Sequence, residues 1–142
     1  MMKRIATTLA LVTLGVLTAC STVVPASPVP SLPGTNWVVA AINGKPTIAD
    51  NQPKLAFEPS GQVSGATGCN VFSGPYTSSG SDLSFPSPLA TTMMACIDDG
   101  VADQEMALLA ALETVKSVRG NGSDVEVLDA AGAVVLLLKP AA

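Results

Sequence analysis

The stretch Gly65-Ala66-Thr67-Gly68-Cys69-Asn70, together with Thr91-Thr92-Met93-Met94-Ala95-Cys96 further along, decides the reading of this chain. Between the two segments lie Phe72, Gly74, Pro75 and Tyr76, then a turn-rich run and the apolar pair Leu83 and Phe85. Aromatic residues make up only 4% of the sequence, so a folded domain here needs a support besides a large core. Cys69 and Cys96 are the natural candidates for a staple joining two strands of one small β-rich domain. The chain-entropy estimate for a loop of that length is roughly 3.5 kcal/mol. The alternatives are a redox-active pair, which neither Cys-x-x-Cys spacing nor a nearby base supports, and two unpaired buried thiols.

Outward from that stretch, Trp37-Val38-Val39-Ala40-Ala41-Ile42 reads as a strand apolar on both faces. The pair Asn43-Gly44 after it is a strong hairpin signal. Lys54 to Glu58 alternates as a half-buried strand, and Pro59-Ser60-Gly61 turns into another from Gln62 to Gly65. Asn70 to Thr77 is extended, Ser78 to Ser81 reads as a loop, and Asp82 to Phe85 is short and alternating. One helix is predicted from Val101 to Val118, a span without glycine or proline in which Leu108, Leu112 and Val115 recur at helical spacing. Asp98, Asp99, Asp103 and Glu105 crowd its start and Lys116 and Arg119 its end, as the helix dipole favours, with Gly120 and Gly122 as stops. Asp124 to Leu128 and Val134 to Leu138 form a closing hairpin, the last strand apolar on both faces. Many short strands with one helix among them give a single small α+β domain, the helix covering a sheet.

The amino terminus reads as an address. Lys3 and Arg4 precede an apolar run from Ile5 to Leu17, shorter than the roughly 20 residues a spanning helix needs. The run ends in Leu17-Thr18-Ala19-Cys20, which resembles a bacterial lipobox. The resemblance implies that residues 1–19 are a removed signal peptide and that Cys20 becomes a diacylated N-terminus. The protein is then expected to be lipid-anchored outside the cytoplasm, in the outer membrane where the cell has one and otherwise in the cell membrane. That compartment permits disulfides. Residues 20–34 carry the anchor and a proline-rich tether, expected to stand as a semi-rigid spacer, and residues 35–140 form the domain. Loss of Lys3 and Arg4 takes the formal charge from −4 to −6, which argues against nucleic acid as a partner.

The chain has no histidine, which removes Ser-His-Asp and Cys-His catalysis. Two domain cysteines cannot build an all-thiolate zinc site. Gly65-x-x-Gly68 lacks the Lys-Ser/Thr of a phosphate loop, and Asp98, Asp99 and Asp103 do not match an EF-hand spacing. Met93 and Met94 could serve copper(I) as soft ligands, but packing, one inside and one against the sheet, is the simpler expectation. No catalytic residue, metal or cofactor is expected.

In order, Trp37; Gly65, Gly68, Cys69 and Asn70; Phe72, Gly74 and Tyr76; Thr92, Met94, Ala95 and Cys96; Glu105 with Leu108, Leu109 and Leu112; and Val125, Val127, Leu128 and Gly132 resemble the META domain family, which includes HslJ-like proteins. Val71 and Met93 stand where that family often has polar or basic residues. The resemblance implies a curled, mainly antiparallel sheet, half-open like a cracked barrel, with one helix packed across it. It supplies no reaction. It points to a non-catalytic envelope lipoprotein that contacts other envelope proteins in a stress-related role. The alternative is a lipid or small-molecule binding module with an apolar cavity under the helix. Any site is expected around Asn70, Tyr76, Thr92 and Met94, beside the two cysteines.

Overall fold

The computed structural model describes residues 27–142; Cys20, the signal peptide and the first part of the tether lie outside the described residues. One antiparallel sheet curls into a half-barrel around the helix α1 (Val101–Thr114). Its strands in chain order are β1 (Thr35–Ile42), β2 (Lys45–Pro46), β3 (Lys54–Phe57), β4 (Gln62–Ala66), β5 (Val71–Pro75), β6 (Thr77–Ser79), β7 (Asp82–Ser84), β8 (Ala90–Thr91), β9 (Val115–Asn121), β10 (Asp124–Asp129) and β11 (Val134–Pro140). Across the sheet they run β6-β7-β9-β10-β11-β1-β3-β4-β5-β8, with β2 as a side branch on β1. The expected α+β domain, a curled antiparallel sheet with one main helix, is what the structure has.

Bulges explain the strands that read as apolar on both faces. In β1 the pairing with β11 shifts between Val39 and Ala41, so the buried positions move from Trp37 and Val39 to Ile42. A residue added to one strand flips every later side chain to the other face. In β10 the shift between Val127 and Leu128 likewise leaves both side chains buried. Asn43 and Gly44 have φ of 48° and 77°, and both signs match the tight hairpin turn that this pair predicts.

Three expectations are corrected. The helix stops at Thr114, and Val115 to Asn121 is a strand paired along its length with β10. Val115 and Val118 fit either period, but both are β-branched, and the pairing with β10 buries them beside Val125 and Val127. Lys116 and Arg119 therefore do not complement a helix end; Arg119 lies opposite Glu126 and donates from Nε to its Oε2 at 2.8 Å. Gly120 and Gly122 do not stop the helix either, since Gly120 is within β9. Ser78 and Ser79 belong to β6, not to a loop, so the β6–β7 turn contracts to Gly80 and Ser81. Finally, the last part of the proline-rich segment lies on the domain. Ser27 pairs with Gly120, and Leu32 is buried in the core.

The inside of the half-barrel is filled. Phe57, Leu55, Leu83, Leu136 and Leu138 point inward from the sheet, and Leu108, Ala111 and Leu112 meet them from the helix. Gln104 is the one polar member of the helix's buried stripe.

Candidate functional site

The β4–β5 connection, Thr67 to Asn70, closes one end of the half-barrel. Two glycines permit close packing at this turn and in the strand that leads into it. At Gly65 a Cβ would collide with the Lys54 carbonyl oxygen and the Phe72 ring. Gly68 has φ of +99°, a conformation other residues rarely adopt, and its Cα faces the Asn51 carbonyl too closely for a side chain.

Asn70, only 2% exposed, is the centre of the cluster. Its Oδ1 accepts from the Met94 backbone N–H at 2.7 Å and from the Thr92 hydroxyl at 2.9 Å. Its Nδ2 donates to Glu105 Oε1 at 3.0 Å and to the Met94 carbonyl at 3.3 Å. The Asn70 backbone N–H lies 2.9 Å from Thr67 Oγ1 and 3.2 Å from Glu105 Oε2. The Thr67 hydroxyl closes the circuit with a short bond to the same Glu105 oxygen. One helix turn is thereby tied to two loops. Gln104 adds a second tie: its Oε1 accepts from the Ile48 N–H and its Nε2 donates to the Asn51 carbonyl, each at 2.8 Å.

Cys69 and Cys96 form a disulfide beside Asn70, with Cα atoms 5.7 Å apart. The two sulfurs and a Glu105 carboxylate oxygen lie within 4.8 Å of one another. Sulfurs bonded to each other offer no thiolate, so this trio is not a ready metal site. The carboxylate itself is occupied by the Asn70 and Thr67 donors.

Of the residues expected at a site, Gly65, Gly68, Cys69, Asn70, Thr92, Met94 and Cys96 converge here. Met94 takes part through its backbone alone; its side chain is 61% exposed and that of Met93 is 97% exposed. Neither methionine packs inside, contrary to the sequence expectation, because the Asn70 bonds hold the backbone of this loop and leave its side chains facing water. Ala95 is exposed in the same loop. Tyr76 does not belong to the cluster. It follows the far end of β5, about 20 Å along the strand at ~3.3 Å per residue. There it donates to the Glu58 carbonyl at 2.9 Å and meets Phe57 edge-on with ring centroids 5.0 Å apart. Burial first, and then the Glu58 carboxylate, push its hydroxyl above the ordinary value. Sequence reasoning missed Thr67 and Gln104, and it gave Glu105 a place in the family pattern and a dipole role but no bond to Asn70. Gln104 did carry a signal: it sits four residues before Leu108, on the apolar stripe, where a polar side chain needs a partner.

A second feature flanks the helix. The segment from Phe85 to Asp98 runs past α1 in the opposite sense: Cys96 and Asp98 lie near Val101, Met94 near Glu105 through Asn70, and Leu89 near Leu109. Phe85, Leu89, Leu109 and Leu112 bound a cleft of about 280 Å³ at one end, with Glu113 at its rim.

The family model described as META domain matches residues 30–142. Among curated proteins, no relative matches. Three solved structures are similar. One, described only as an NMR structure, is 26% identical with a TM-score of 0.62 and covers 77% of this chain and 91% of its own. An NMR structure of a protein from Burkholderia xenovorans is 24% identical with a TM-score of 0.67, covering 90% of this chain and 99% of its own. A crystal structure of a duf4847 family protein from Bacteroides vulgatus shares 11% identity and a TM-score of 0.54, covering 76% of this chain and 93% of its own. The latter two speak to the fold alone.

Proposed function

The chain belongs to the META domain family, and we propose that it works as a non-catalytic cell-envelope lipoprotein, anchored through Cys20, that acts by contact with other envelope proteins in a stress-related role. The observation that carries this reading is the state of the polar cluster. Every side chain a reaction could use there is engaged in bracing the fold: Asn70 and Glu105 bond each other, Thr67 and Thr92 bond them, and the cysteines bond one another. A nucleophile or general base needs a free lone pair aimed at a substrate. The META domain is not known as a catalytic family.

The alternative, a lipid or small-molecule module with its ligand beneath the helix, finds less support. The space under α1 is taken by Leu, Val and Phe side chains, and the cleft of about 280 Å³ lies at the helix flank. A larger space of about 670 Å³ along β4, β5 and β8 is an open depression with no helix residue in its lining, so it is not a cavity under the helix. The anchoring is tested by fractionating cells and weighing the intact protein. The expected species sits in the membrane fraction, begins at Cys20 and carries a diacylglycerol, while Cys20→Ala moves the protein to the soluble fraction. A soluble protein that retains Met1 would overturn the lipoprotein reading.

A further inference from the structure

We propose that the face between the Phe85–Asp98 segment and α1 docks a protein segment carrying one large apolar side chain with lysine or arginine beside it. This rests on the reading that the protein acts through protein contacts, and it names the surface and the chemistry of the partner.

Three features of this face agree. First, large apolar side chains are left in water along it: Met93 at 97% exposure, Ile97 at 91%, Met106 at 63% and Met94 at 61%. Met106 precedes Leu109 by three residues and Glu113 by seven, so it shares the helix stripe that bounds the cleft. Methionine is unbranched and polarisable, and surfaces built from it adapt to apolar partners. Second, the cleft is sized for an anchor. Its volume of about 280 Å³ and its walls of Phe85, Leu89, Leu109 and Leu112 suit one aromatic or long aliphatic side chain better than a lipid. Buried anchors of this type dominate interface energetics. Third, the charge has one sign. Glu113 lines the cleft, Asp98 lines the other end near the disulfide, and no basic residue lines either. An apolar groove with an acidic rim selects an apolar segment with a basic flank and repels anionic lipid headgroups.

The backbone of this face is fixed while its side chains are not buried. The disulfide and the Asn70 bonds hold residues 92–96, so little ordering entropy is lost when a partner meets it.

The test uses the full chain in its own envelope, with p-benzoylphenylalanine replacing Met93, Met106 or, away from the groove, Ala131. After illumination, the cross-linked partner peptide is mapped by mass spectrometry. The expected result is a discrete protein adduct from Met93 and Met106, at least fivefold above Ala131, whose peptide carries a large apolar residue flanked by Lys or Arg. Glu113→Lys and Asp98→Lys, both exposed, lower that yield severalfold, whereas Lys139→Glu does not. Adducts to acyl chains, a mapped segment without basic residues, or yields indifferent to both charge reversals would overturn the proposal. A discrete protein captured from Ala131 alone would sink the groove and leave the contact reading standing. No protein from any of the three positions would sink both.

Discussion

Replacing Asn70 tests whether its amide braces the barrel end. Asn70→Ala removes the bonds to Thr92, the Met94 N–H and carbonyl, and Glu105. At roughly 1 kcal/mol net for each of four bonds, less where the stranded group reaches water, the expected cost is about 3 kcal/mol. Asn70→Asp keeps the shape and the acceptor bonds but puts an oxygen where Nδ2 stood, 3.0 Å from Glu105 Oε1. Two carboxylates at that distance repel by about 5 kcal/mol at an effective dielectric of 20. Protonating the new carboxyl relieves the repulsion, and from its ordinary pKa near 3.9 that costs about 4 kcal/mol at pH 7, which caps the penalty. Its folded pKa is therefore raised above the unfolded one. The unfolded chain sheds the proton first, so stability falls as pH rises from about 4 toward the raised value, by up to ~1.4 kcal/mol per unit. Urea unfolding with the disulfide intact should find Asn70→Asp about 4 kcal/mol below the parent at pH 7 and within about 1 kcal/mol of it at pH 4. Asn70→Ala should show much the same deficit at both. If Asn70→Asp costs the same at pH 4 and pH 7, or Asn70→Ala costs under 0.5 kcal/mol, the amide is not the brace described here.

Two further outcomes follow, one from the disulfide beside Asn70 and one from Tyr76 at the far end of β5. Cys69→Ser with Cys96→Ser opens a loop with a sequence separation of 27, and the expected loss is about 3.5 kcal/mol by thermal unfolding. A loss below 1 kcal/mol would mean that the unfolded chain keeps these segments close without the disulfide, against the chain-entropy argument. Tyr76→Phe removes the bond to the Glu58 carbonyl at a cost of about 1 kcal/mol. Because burial, and then Glu58, raise the tyrosine's pKa in the folded state, the parent should lose stability as pH climbs above ~10 and level off past the raised value. The phenylalanine variant should lack that component of the alkaline decline, which a pH series of denaturant midpoints would reveal.

Most strands and the helix's existence could be read from period and turn chemistry, because those signals are local. Asn43-Gly44 both specifies and receives a turn with positive φ. The helix end was not readable for the opposite reason. Leu112, Val115 and Lys116-Ser117-Val118-Arg119 satisfy either period, and what decides them is β10, a strand that follows them in sequence. The cysteine pairing was legible from scarcity. The cluster beside it was legible only in part, since Thr67 and Glu105 are 38 residues apart and no local pattern joins them. The exposure of Met93 and Met94 was hidden for a related reason. A methionine pair looks like core until one knows that the backbone between them is fixed from the side, by an asparagine 24 residues earlier.

That fixing divides the family's residues into two kinds. Gly65, Gly68, Asn70, Thr92 and the two cysteines are spent on one another, so their polar and sulfur atoms brace this end of the barrel, although Thr92 itself is exposed. Val71 and Met93, where this chain departs from the polar or basic residues the family often has, are 54% and 97% exposed. A brace that holds the loop in place by backbone and buried side chains leaves the outward positions free to change without cost to the fold. Partner choice would then be written in those outward positions and in the acidic rim, with the shared motif as their support. On that division, Met93→Lys should leave the unfolding midpoint within about 0.5 kcal/mol of the parent, as exposed substitutions do. It should still weaken capture of the basic-flanked segment, because it brings a positive charge to the groove. A stability loss comparable to that of Asn70→Ala would show that the methionine belongs to the brace and would collapse the distinction.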